Sequence, residues 1–199
     1  SGSSYQPDGR AAMPEILSDG PHRAGTVFAM GAGGYVGSGV DALDGRIITL
    51  FTQQPSIGVL GASRDLGVAR GTVQARLDRL IERGVITSMA PTIDPGATGF
   101  PVMAFCQLQI RQTTGQTPIA EHLSAIAEVI EAYTITGSFD MLVVAVARSN
   151  ADLQRVIDQI VEHKQIERAS TQIVLATHIT RRTLPLVQAA AAAEGSTGG

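Results

Sequence analysis

The sequence predicts an α+β protein in two units, a helical N-terminal one and a C-terminal antiparallel sheet with two helices on one face. Two observations predict it. Across residues 60–86, LGASRDLGVARGTVQARLDRLIERGVI, apolar side chains recur at helical spacing on either side of Gly67, as two short helices joined by a turn would show. Across residues 101–179 the period switches between 2 and 3.6 in the order strand, helix, strand, strand, helix, strand. With 199 residues the chain has room for both units.

In the first unit, Leu43, Ile47, Leu50 and Phe51 form an apolar stripe on a helix that ends near Pro55. Two further helices flank Gly67. On the second of these, Val73, Leu77, Leu80 and Ile81 define a buried stripe. That leaves Gly71, Thr72, Ala75 and Arg79 facing outward, with Gln74, Arg76 and Arg83 on the flanks. This is the shape of a helix-turn-helix DNA reader. Small residues near a helix start allow close approach to base edges. Arginines there pair with guanine or with phosphate, and one bidentate pairing is worth ~1–3 kcal/mol of discrimination. The candidate DNA contacts are therefore Arg70, Gly71, Thr72, Gln74, Ala75, Arg76 and Arg79. The plainer reading is a solvated surface face on which Asp78 and Glu82 pair with Arg79 and Arg83 inside the helix. Arg83 and Gly84 end this helix, and Val85 and Ile86 start an extended segment.

The net charge of −3 argues against indiscriminate coating of nucleic acid. Between Arg64 and Arg83, however, five arginines face three acids, so the positive charge is local. Cys106 is the single cysteine, which excludes an intrachain disulfide and a multi-cysteine zinc site; it lies in an apolar run and reads as core. His22, His122, His163 and His178 share no motif with a nucleophile or a chelating partner, so no catalytic residue and no metal are expected. No stretch reaches the ~18–20 apolar residues of a membrane span, and no signal-peptide core is evident, so a cytoplasmic protein without a membrane partner is expected.

Residues 1–40 are rich in Gly, Ser, Pro and Ala and read as a flexible extension, native or added by cloning. Within them, residues 26–40 resemble the strand and glycine loop of the extended short-chain dehydrogenases, with Gly31, Gly34 and Gly37 in GxxGxxG spacing. A dinucleotide site also needs an acid about 20 residues on, and none occurs from Gly45 to Arg64. The helical unit then takes residues 41–99 with its linker, where Pro91, Asp94, Pro95, Gly96 and Gly99 gather turn formers. The sheet unit takes 100–184, and 185–199 form an Ala- and Gly-rich tail with a frayed helix.

In the sheet unit, Val102, Ala104, Cys106, Leu108 and Ile110 alternate with more polar neighbours on the first strand. A helix from about Pro118 carries Ile119, Leu123, Ile126 and Ile130 on one side. Strands over 132–136 and 139–147 form a hairpin at Gly137 and Ser138. A second helix buries Leu153, Val156, Ile157, Ile160 and Val161, and a last strand covers 169–179. Met103, Phe105, Val144 and Val174 fall on the face without helices, which a second copy is expected to cover.

With both units in view, residues 40–184 resemble the leucine- and asparagine-responsive regulators, the Lrp/AsnC or feast/famine family. The resemblance is carried by LDGRIITLF, LGVARGTVQARLDRLIERGVI, IDPGATGFPVMAF and TGSFDMLVV. It implies a winged helix-turn-helix joined to a ferredoxin-like βαββαβ ligand-sensing domain, a role as transcriptional regulator rather than enzyme, and promoter DNA as partner. It also implies homodimers paired through their sheets, assembling further, most often to octamers, with an amino acid as effector and no other cofactor. The effector site it implies is the hairpin Thr136, Gly137, Ser138, Phe139 and Asp140, with Ser170 and Thr171 at its border. There a glycine turn can offer amides to a carboxylate and Asp140 can accept from an α-ammonium; equally, Gly137 and Asp140 can simply build the turn. Ala69 stands where the family commonly has Ser, Ala62 and Ser63 replace its usual larger apolar residue and alanine, and Gly61 lowers helix propensity, so a loosely packed second helix is expected. Two other functions compete: a ligand-sensing oligomer that no longer reads DNA, and a small dimeric ferredoxin-like enzyme.

Overall fold

The computed structural model describes residues 39–111 and 117–196. Helix α1 (Ala42–Gln53) begins at Asp41, whose carboxylate accepts the Asp44 amide at 2.8 Å while the Asp44 carboxylate accepts the Asp41 amide at 3.3 Å. This reciprocal pair satisfies two amides at the helix start. Helix α2 (Gly58–Leu66) ends on Gly67, whose φ of +67° turns the chain toward α3 (Arg70–Glu82). Ile47 and Leu50 of α1, Ala62 of α2, and Val73 and Leu77 of α3 close the helical core. Leu80 is buried as well, but Ile81 is 47% exposed. On a helix, Leu80 lies within about 20° of Val73 and Ile81 about 80° away, so the two neighbours cannot share the core face. Gly61 also has a packing reason: a Cβ there would stand 2.7 Å from Cγ1 of Ile57, which packs on this core.

After α3 the amides of Val85 and Ile86 both return to the Leu80 carbonyl, and Ile86 packs against the helical core. No strand forms between α3 and residue 101, where a short 3₁₀ turn (Gly96–Thr98) held by the Asp94 carboxylate leads into the sheet. Strands β1 (Val102–Ile110), β2 (Val129–Thr134), β3 (Met141–Ala147) and β4 (Ile166–Ile173) pair in the order β2-β3-β1-β4, every neighbour antiparallel. Helices α4 (Thr117–Ser124) and α5 (Asn150–Val161) cover one face. Ala104, Cys106, Leu108, Val143 and Ala145 of the sheet meet Ile119 and Leu123 of α4 and Leu153, Val156 and Ile160 of α5 there. Burial pushes the Cys106 thiol up, partly offset by its bond to Thr171, as befits an inert core cysteine.

The hairpin is wider than the sequence reading has it, β2 ending at Thr134 and β3 starting at Met141, and Val161 of α5 is exposed rather than buried; three further boundaries differ. Helix α4 stops at Ser124; Ile126 stays buried in the following turn, but Ile130 belongs to β2 and lies on its exposed side. The β-branched pair Val129 and Ile130 is taken up by the β3 edge, Val129 opposite Ala145, so sheet pairing overrides a helical period that happened to continue. Strand β4 starts earlier, at Ile166, and ends at Ile173, because its partner β1 begins at Val102 and offers only the Met103 carbonyl, to the Val174 amide, beyond the Ala104–Ile173 pair. The alternation over 174–179 therefore has no strand to pair with, and Leu175 and Ile179 stand in solvent. Third, the Ala-rich tail is helix α6 (Leu184–Ser196), and it packs against α1. The glycine loop at 31–37 lies outside the described residues.

Candidate DNA-reading helix and effector hairpin

Helix α3 presents Arg70, Gly71, Thr72, Gln74 and Ala75 to solvent, while Val73 and Leu77 hold its other side in the core. Gln74 donates to Asp78 at 2.8 Å, one turn on. Arg76 is half-buried and Arg79 is exposed, but both guanidiniums reach back to α1. The Arg76 guanidinium donates to Asp41, and to Asp44 at 3.0 Å; Arg79 donates to the other Asp44 oxygen at 2.7 Å. Asp44 is fully buried. A buried carboxylate is tolerable only when paired and hydrogen-bonded, and these two arginines together with the Asp41 amide supply that. Burial pushes the Asp41 carboxyl up, but the hydrogen bonds from Arg76 and the Asp44 amide, with the Arg76 charge, outweigh it, and its pKa falls below the usual value. At the far end of α3, Arg83 donates to the Gly39 carbonyl at 2.7 Å. Gly39 has a φ of +50° and the guanidinium lies directly over its Cα, where a side chain would collide.

Of the predicted DNA set, five residues thus share an open face and two are turned onto α1. The sequence reading missed Asp41 and Asp44. Their spacing, two acids three residues apart just ahead of an apolar stripe, was the available signal, since it is that of a helix-start pair.

In the sheet unit, Thr136, Gly137 and Ser138 are exposed in the loop between β2 and β3, and Phe139 and Asp140 are half-buried. Gly137 takes a φ of +120°. Asp140 knits the loop to β1: its Oδ2 accepts the Ile110 amide at 2.7 Å, its amide donates to Leu108, and its carbonyl accepts from Ile135. The turn-building role of Asp140 is therefore present. Ser170 and Thr171 are adjacent on β4 and face opposite sides; the Thr171 hydroxyl lies 3.5 Å from the Cys106 sulfur, toward the helices, and Ser170 is opposite Gln107 in the register. Only Ser170 shares the face without helices.

A separate open hollow of about 320 Å³ lies where the linker meets the sheet, lined by Ile93, Pro95, Phe100, Ile130 and Val146, with Thr98. Its lining holds no charged group to receive the ammonium and carboxylate of a free amino acid. The rings of His122 and His163 meet at 5.2 Å, but among the described residues no group of three His, Cys, Asp or Glu side chains is close enough to hold a metal ion. Among the described residues no helix is long and apolar enough to cross a membrane.

Known proteins divide this chain at the same place. Residues 40–87 match the family described as winged helix-turn-helix DNA-binding, and residues 103–184 match the Lrp/AsnC ligand binding domain. The HTH-type transcriptional regulator FL11 of Pyrococcus horikoshii is 29% identical over 147 residues, 74% of this chain and 97% of its own. The regulatory protein AsnC of Escherichia coli is 26% identical over 147 residues, 73% of this chain and 97% of its own. The solved structure of E. coli AsnC superimposes with a TM-score of 0.67 at 26% identity, covering 73% of this chain and 99% of that one. A feast or famine regulatory protein from M. tuberculosis, solved in complex with L-methionine, shares the fold at 22% identity with a TM-score of 0.64, covering 72% and 97%. A winged helix-turn-helix unit followed by an Lrp/AsnC ligand-binding unit accounts for both matched segments, and the chain belongs to the Lrp/AsnC family of DNA-binding transcriptional regulators.

Proposed function

We propose that this chain is a cytoplasmic, homo-oligomeric regulator that binds promoter DNA through the open face of α3 and answers to an amino acid held at the hairpin between β2 and β3. The observation that carries the DNA half is the division of labour on α3. Arg70, Thr72 and Gln74, with the low relief of Gly71 and Ala75, form the contact face, where long donors reach bases and phosphates and small residues let the helix sink into the major groove. Arg76 and Arg79 serve the same contact from behind, by fixing α3 to α1.

The effector half rests on the exposed turn at Thr136, Gly137 and Ser138 beside Phe139 and Asp140, with Ser170 on the neighbouring face. Turn amides suit a carboxylate, and the Asp140 carboxylate suits an ammonium. The complex of the M. tuberculosis protein with L-methionine supports the ligand class. The face of the sheet without helices exposes Phe105 and Tyr133, and pairing with a second copy, then with further dimers up to an octamer, would bury it and set two α3 helices one helical turn of DNA apart. A mobility-shift titration on a duplex carrying the promoter of its own gene, with and without each amino acid, tests both halves. A specific shift that one amino acid strengthens or weakens is expected. A shift indifferent to every amino acid removes the effector reading, and no shift at all leaves a ligand-sensing oligomer.

A further inference from the structure

Helix α6 begins at Leu184, where the match to the ligand-binding domain ends, and it returns to the DNA-binding unit to pack on α1. The contact is close. A Cβ built at Gly45 would stand 2.9 Å from the Ala191 Cβ, so the helices meet where α1 has no side chain and α6 only a methyl. Glu194 Oε1 accepts the Gly39 amide at 2.9 Å, and the Gly39 carbonyl accepts from Arg83 at 2.7 Å. One residue therefore joins α6 to the end of α3. The other end of α6 is tied to the sheet unit. Arg181, three residues before it, has a φ of +31°, a backbone region that side-chain-bearing residues avoid, and its guanidinium is ion-paired with Glu131 on β2. A strained corner held by the sheet leads into a helix held by α1.

We propose that α6 is a strap. Docked on α1, it fixes Gly39, Asp41 and Asp44, the anchor points of Arg83, Arg76 and Arg79, and so couples the state of the sheet unit to the setting of α3. The strap rests on α3 being the DNA-reading helix, and it makes a device of a segment outside the two matched domains.

Two substitutions in the full chain attack the contact from opposite sides. Gly45→Leu places a bulky side chain against Ala191, and an added Cβ there meets nothing else within 4 Å; on α1 itself it improves helix propensity. Glu194→Ala removes the bond to Gly39 without touching α1. Both are expected to speed hydrogen exchange of the α6 amides and to weaken binding to the promoter duplex about fivefold or more, the lower end of typical coupling between sites. Faster α6 exchange in both variants with wild-type DNA binding overturns the strap. So does weakened binding in Gly45→Leu alone, which marks local damage to α1, or fast α6 exchange in the wild type, which means that the helix is not docked. A wild-type chain with slow α6 exchange that binds no duplex instead removes the DNA-reading role of α3, and the strap's purpose with it.

Discussion

Asp44 is a charge taken wholly out of water and repaid by two arginines from another helix. Removing one partner from such a cluster costs more than the pair contributes, because it strands the remaining charge. Asp41, at its edge, gives the cluster a pH signature. Its folded pKa lies below the ordinary 3.8, so the stabilisation is fully present above that value and is lost as the pH falls through the lower folded one. Thermal melts of the helical unit should therefore hold from pH 7 to about 4 and drop below it, and Asp41→Asn, which keeps a good helix cap, should flatten that drop. An identical acid profile in the variant would sink the assignment. These residues also show where reading the sequence stops. The exposed positions 70–72, 74 and 75 were legible because helical period alone decides which way they face. The targets of Arg76 and Arg79 were not, since their carboxylates lie more than thirty residues away and only the α1–α3 packing brings them near.

Helix α3 begins without help: Ala69 has the extended backbone of an N-cap but no side chain to hold the first free amides. Ala69→Ser should add about 1 kcal/mol, seen as a rise in melting temperature of several degrees for a small domain; no rise would mean that core packing already saturates this helix start. The elements themselves were largely readable, all six of the sheet unit in their order, because burial on one face imposes a period. Their ends were less so. Ile130 continued the period of α4 into β2, and the alternation at the end of β4 ran on past the last residue of its partner. Helix α6 was least legible of all, since a run of alanines has no polar side from which a docking face could be read.

For the molecule as a whole, the proposed assembly turns on the sheet face away from the helices. Phe105 sits near its centre, opposite Val144 on β3 and Gln172 on β4. Phe105→Glu should leave the circular dichroism spectrum unchanged, turn the chain monomeric in sedimentation velocity, and lower promoter affinity by removing the second half-site contact. Oligomers that persist would place the interface elsewhere. The bond between Gly39 and Glu194 has one more result. The first and last turns of the described fold lie side by side, so the path of the backbone is nearly a closed ring. A short connector from Ser196 back to Gly39 would close it, and the exposed loop at Gly137 and Ser138 could be opened in its place, giving a permuted chain with the same neighbours and its ends moved from the DNA-binding unit to the sheet.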